Sequence, residues 1–175
     1  YDTEPVPEIR ELDWSCEFPY RGRVLTFPHP GRHNALNAWQ AARMAEKLGA
    51  TTEDCIRAMA SFRGIKRRLE LVGIRSDGVR VIDEYAHNTE KIRASLETLR
   101  ARSQRVLALW RPHGYGPLSK MFESLVEMFT ETLRADDILF LLPVFDAGGT
   151  ADRGINSDAL QKRLVANGVK CELLL

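Results

Sequence analysis

The sequence predicts an α/β protein: a mainly parallel, doubly wound sheet with helices on both faces, preceded by a helical segment. Three observations predict this. From residue 79 onward, strand-like runs (VRVIDEY, RVLALW, DILFLLPVF and KCELLL) alternate with helix-like segments over 89–101, 118–134 and 157–167. The runs are short and mostly apolar instead of cleanly alternating, as expected of parallel strands covered on both faces. Ahead of residue 79, small and apolar residues recur at helical spacing.

Residues 1 to about 30 are polar and acid-rich, then Pro-rich in FPHPGR, with a short strand expected at Arg23–Phe27. In HNALNAWQAARMAEKLGA, Ala38, Ala41, Ala42, Met44, Ala45 and Leu48 make a small-residue helical stripe that Gly49 should terminate. TTEDCIRAMASF reads as a second helix, capped by Thr51 or Thr52 with acids in its first turn. RGIKRRLELVG leads to a turn at SDG. Val79–Asp83, Arg105–Trp110, Asp137–Val144 and Cys171–Leu175 are then expected to lie side by side in one sheet. In such sheets ligands bind beyond the carboxyl ends of the strands. Those ends carry Asp83 to Asn88, then Arg111-Pro112-His113-Gly114, then Asp146-Ala147-Gly148-Gly149. Asn88 or Thr89 can cap the helix that follows, and its amino end favours an anion. The glycine-rich DAGGT reads equally well as a flexible loop.

Several function classes drop out. A net charge of +1 lacks the basic excess of a nucleic-acid surface. Cys16, Cys55 and Cys171 are odd in number and widely spaced, with no CxxC or Cys/His cluster, so neither zinc nor a disulfide framework is expected. That fits a reducing cytosol, and a cytoplasmic location is expected. The longest apolar runs, such as Ile138 to Val144, are far too short to span a membrane, and no signal peptide is visible. There is no GxxxxGK[ST] or GxGxxG motif. The chain does not begin with Met and stops on CELLL, which reads as a strand in mid-sheet. An excised piece of a larger protein is expected.

Four segments in order, GRHNALNAWQAARMAEKLG, FRGIKRRLEL, VIDEYAHN and RPHGYGP, resemble the Mur ligase family from about residue 23 to the end. These are ATP-dependent amide-bond-forming enzymes of peptidoglycan precursor synthesis. The similarity points to the branch acting on UDP-N-acetylmuramate, which adds alanine or recycles muropeptides. The resemblance implies that residues 1–75 are the tail of a central ATP-binding domain. Residues 76–175 would then be a truncated, Rossmann-like carboxyl-terminal domain. The P-loop would lie in the part not present, and the fragment alone should be inactive.

The resemblance also implies roles. His33, Asn34 and Asn37 would contact the adenine or ribose of ATP. Asn34 has an alternative reading as a helix cap and His33 as a loop residue. Arg68 would reach the nucleotide, for which a guanidinium fork is suited. Lys66, Arg67 and Arg68 also read as a solvated basic cluster. Glu84, where the family usually has Asp, would hold ribose hydroxyls, with Tyr85 beside the base. His87 would sit near the phosphates and His113 would face the active cleft, making these two the catalytic-site candidates. No residue of the chain is expected to ligate metal; magnesium would be held mainly by the missing part of the central domain. The implied partners are a UDP-N-acetylmuramate-type substrate and an amino acid or peptide. Alanine-adding relatives carry arginines where this chain has Gly114 and Pro117, so poor use of free L-alanine is expected. A non-catalytic, nucleotide-binding or regulatory paralogue is the alternative reading. A polyglutamate- or cyanophycin-forming relative is a third, against which RHNALNA and YAHN speak.

Overall fold

The computed structural model describes residues 5–146, 148, 150 and 152–174. It divides into two compact units that part between Tyr85 and Ala86.

The first unit opens with an antiparallel sheet of β1 (Arg10–Glu11), β2 (Cys16–Tyr20) and β3 (Arg23–Phe27). β2 and β3 turn tightly at Arg21-Gly22, both at positive φ. Cys16, Phe18 and Tyr20 alternate inward on β2, and Leu25 and Phe27 do so on β3. Helix α1 (Arg32–Lys47) lays Ala35, Trp39 and Ala42 against them. It ends where Gly49 adopts φ 99°. There the Gly49 amide donates to the Glu46 carbonyl and the Ala50 amide to the Ala45 carbonyl, a Schellman closure that only glycine enters cheaply. Of the two threonines offered by sequence, Thr51 is the cap of α2 (Thr52–Ala60), its side chain accepting from the Asp54 amide. Cys55 and Met59, one turn apart, complete this core.

β4 (Glu70–Ile74) and β5 (Arg80–Asp83) form a separate antiparallel hairpin. This corrects the expectation that Val79–Asp83 joins the parallel sheet. The reason is local: Ser76-Asp77-Gly78 forms the loop, with Gly78 at φ 85°, its amide donating to the Arg75 carbonyl at 2.9 Å and the Arg75 amide donating to the Val79 carbonyl at 2.8 Å. A three-residue loop ending in a left-handed glycine pairs the strands it joins.

The second unit holds α3 (Thr89–Arg100), β6 (Leu107–Trp110), α4 (Tyr115–Thr132), β7 (Ile138–Leu141), α5 (Ser157–Ala166) and β8 (Cys171–Leu173). The strands form a parallel, Rossmann-like sheet in the order β6-β7-β8. Ile92 and Leu96 of α3, Leu118, Leu125 and Phe129 of α4, Leu139 and Leu141 of β7, and Leu160 and Leu164 of α5 share one core. On the opposite sheet face Leu107 and Leu109 are 58% and 62% exposed. The α/β, Rossmann-like arrangement of parallel strands and helices expected from sequence is thus present, with α3, α4 and α5 sharing the core of Leu139 and Leu141. The strand pattern was apolar throughout, so periodicity alone could not separate the covered face from the open one. Leu175, expected in the last strand, lies outside the described residues.

Candidate functional site

In the first unit, β3 runs into Pro28-His29-Pro30-Gly31, and Gly31, at φ 93°, leads into α1. No side chain caps this helix. His33 and Asn34 occupy its first turn, and Asn34 is tied by its Nδ2 donating to the Pro30 carbonyl at 2.8 Å. Asn34 is therefore inside the helix and not its cap. Asn37 lies one turn further on and is exposed. Burial holds the His33 imidazole below its usual range, while the Glu84 and Glu11 carboxylates pull the other way.

Glu84 follows β5 and is pinned: one carboxylate oxygen accepts from the Leu69 amide at 2.8 Å, and the other lies 3.8 Å from the Arg68 guanidinium. Tyr85 is 40% exposed, and its amide donates to the Arg67 carbonyl at 2.9 Å. The Arg67 and Arg68 guanidinium carbons lie 4.6 and 6.0 Å from the centre of its ring. Arg67 and Leu69 sit at φ 59° and 45°, a left-handed backbone that costs about 1 kcal/mol or more for a side-chain-bearing residue. The basic run is thus a constrained turn, on which Lys66 and Arg67 remain exposed. Arg68, Glu84 and Tyr85 meet, His33 feels the Glu84 charge, and Asn34 adjoins His33. Guanidiniums, a fixed carboxylate and an aromatic face are the chemistry that phosphates, a diol and a base require. A nucleotide therefore fits these residues.

The second unit gathers a different set at the carboxyl ends of β6 and β7. Trp110, the last residue of β6, donates its Nε1–H to the Ala86 carbonyl at 3.3 Å. That brings the segment bearing His87 to the same sheet edge as His113. Both histidines are exposed. His113 bridges to Phe145 and stacks on its ring, with centroids 4.8 Å apart. The Arg111 guanidinium lies 5.3 Å from that ring, and its Nε donates to the Pro143 carbonyl at 3.1 Å. Arg153 grips Asp146 through two nitrogens at 3.0 and 2.9 Å and lies 5.7 Å from the Tyr115 ring. The Gly148 amide and the Arg153 guanidinium hold the Asp146 carboxyl below its usual range. Ala147 and Gly149 of the expected rim lie outside the described residues. Of the two capping candidates before α3, Asn88 is the one used, accepting from the Lys91 amide at 3.0 Å.

Gly114, which leads into α4, adopts φ 96°, and a Cβ there would stand 3.2 Å from Pro117 Cδ. Gly114 and Pro117 are thus parts of one packed turn. His29, Phe145 and Arg153 were not singled out from sequence. FPHPGR reads from sequence only as a Pro-rich stretch, and Arg153 acquires its place through Asp146, seven residues away. Among the described residues, no group of three or more His, Cys, Asp or Glu side chains could hold a metal ion. A magnesium site does not fit them. No helix among them is long and apolar enough to cross a membrane.

A family model described as "Mur ligase, glutamate ligase domain" matches residues 67–173, more than half of the chain. The chain belongs to the Mur ligase family. A UDP-N-acetylmuramate–L-alanine ligase from Sinorhizobium medicae is 41% identical over 145 residues, which is 82% of this chain and 30% of that protein. The enzyme of the same name from Rhizobium etli is 40% identical over 162 residues, 92% of this chain and 33% of that protein. This Mur ligase chain therefore spans about a third of the length of the curated relatives it matches. Among solved structures, a UDP-N-acetylmuramate–alanine ligase from Thermotoga maritima superposes with a TM-score of 0.71 at 20% identity. The match covers 99% of this chain and 38% of that one. At that identity the likeness bears on the fold alone.

Proposed function

We propose that the full-length protein is an ATP-dependent ligase that joins an amino acid or peptide to a UDP-N-acetylmuramate-type substrate in peptidoglycan precursor synthesis or recycling. The observation that carries this reading is the pinned Glu84, facing Arg68 at 3.8 Å beside Tyr85, in a chain of this family. Bound ATP would supply the phosphoryl group that activates the acid as an acyl phosphate, which the incoming amine then attacks. Arg68 would hold phosphate oxygens, Glu84 the ribose hydroxyls, Tyr85 the base, and His33, Asn34 and Asn37 the adenine or ribose edge. His87 would lie near the phosphates, and His113 would orient the reacting groups. No magnesium ligand is assigned to this chain. We assign residues 1–75 to the central ATP-binding domain and 76–175 to the carboxyl-terminal one, with the compact hairpin of β4 and β5 spanning that junction. Buried free cysteines are in keeping with work in the cytoplasm.

The acceptor reading follows from charge. Burying a carboxylate without a cation is costly. Gly114 and Pro117 offer none, whereas Arg111, braced over Phe145 beside His113, does. We therefore expect an acceptor longer than, or differently charged from, free L-alanine. The test follows phosphate release by the full-length protein with ATP, magnesium, UDP-N-acetylmuramate and a panel of amino acids and peptides. Release that requires both the muramate acid and an amine supports the proposal. ATP turnover indifferent to the muramate substrate would overturn it.

A further inference from the structure

His29 lies outside every segment assigned to substrate, yet it is 7% exposed and fixed on all sides. Its ring stands edge-on to Phe27 and Phe62, with centroids 6.2 and 6.1 Å away. Gly64, at φ 82°, backs onto it: a Cβ there would lie 3.3 Å from His29 Cε1 and 3.4 Å from Nδ1. Its Nε2 is 2.9 Å from the Arg68 carbonyl. A carbonyl only accepts, so Nε2 carries the proton and donates. Burial lowers the His29 pKa, with the Arg68 carbonyl and Glu84 opposing it and His33 adding to it.

The carbonyl it holds belongs to the middle residue of the strained turn. Arg67 and Leu69, on either side, are both left-handed. The Arg67 amide is held by Glu70 and its carbonyl by the Tyr85 amide, and the Leu69 amide is held by Glu84. The Arg68 carbonyl and the Leu69 amide belong to one peptide group, held on its oxygen side by His29 and on its nitrogen side by Glu84. Without His29, Glu84 alone would hold the peptide at the centre of the turn from which the Arg68 side chain meets Glu84 and Tyr85.

We propose that His29 is a positioning residue: its hydrogen bond to the Arg68 carbonyl fixes the turn that aims the Arg68 guanidinium at the nucleotide. The inference rests on the reading of Arg68 as a nucleotide contact. It is tested in the full-length ligase with His29→Leu, His29→Gln, Arg68→Ala and the double variant, each read as KM for ATP against kcat. His29→Leu should raise the ATP KM about tenfold with kcat within about twofold of wild type. His29→Gln, whose amide can still donate, should recover most of the loss. In the Arg68→Ala background, His29→Leu should add no more than about twofold, because the group it positions is gone. If Arg68→Ala leaves the ATP KM unchanged, the nucleotide reading of Arg68 fails. If Arg68→Ala raises it and His29→Leu does not, or if the two effects multiply, the positioning role is overturned. Should His29→Leu not fold, His29→Met fills the ring volume without a donor and takes its place. Failure of both to fold would make the contact a stability element and overturn the proposal.

Discussion

Asp137 is 1% exposed and holds two strands of the second unit in register. One carboxylate oxygen accepts from the Val106 amide at 2.7 Å and the other from the Arg134 amide at 2.9 Å, with the Arg134 guanidinium at 3.4 Å. Burial pushes its pKa up, but these donors outweigh burial and hold the carboxyl below its usual range. Because the folded pKa lies below the unfolded one, near about 3.9, the contribution is full above that value. It is lost as pH falls through the folded pKa. Asp137→Ala should destabilise the protein by about 2 kcal/mol at neutral pH, since it leaves the buried Val106 amide and the half-buried Arg134 amide without their acceptor. Denaturant unfolding should show this and a shallower loss of stability below pH 4 than in wild type. A variant as stable as wild type would show that the network adds nothing net. At the proposed nucleotide-binding cluster, Arg68→Ala and Glu84→Ala should each raise the KM for ATP about tenfold or more while the fold, followed by circular dichroism, is unchanged.

The helix ends argue at the scale of the element. Asn156 caps α5 by accepting from the Ala159 amide at 3.0 Å. Asn156→Ala should cost about 1 kcal/mol, measurable as a shift of the unfolding midpoint with unchanged slope. At α4 the situation differs, because Gly114 combines φ 96° with a 3.2 Å approach to Pro117. A side chain at 114 is strained whatever its charge, so Pro117→Arg is the cleaner way to add a cation beside His113. It should raise kcat/KM for L-alanine about tenfold if missing charge is what limits that acceptor. An unchanged ratio would remove the argument from these positions. The helices and the three parallel strands were legible because caps, glycines and apolar runs are local signals. The pairing of β5 is not legible in the same way: SDG signals a turn, but the apolar run after it resembles the later parallel strands in length and composition. β2 is hard to read because Pro19 argues against a strand in a run that otherwise alternates as Cys16, Phe18 and Tyr20, the three side chains that share a core with α1. At the site, Arg68, Glu84 and Tyr85 could be named from motifs. His29 could not, because its role depends on a carbonyl 39 positions away.

As a whole, the chain is two compact units covering about a third of its curated relatives' length. Under the proposed function, the phosphate cradle and the metal site fall to the remainder of the protein. Residues 1–175 alone should therefore hydrolyse no ATP and form no amide bond. Turnover by this piece would contradict the division of labour proposed between it and the remainder of the ligase. The central claim is that the complete protein lengthens a muramate acid at the expense of ATP. Mass spectrometry of UDP-N-acetylmuramate after incubation with the full-length protein, ATP, magnesium and the acceptor panel tests it most directly. The account predicts a product heavier by one acceptor residue, equivalent to the acceptor less water, formed only when ATP is present. Unaltered UDP-N-acetylmuramate with every acceptor, from a protein that binds ATP, would contradict it.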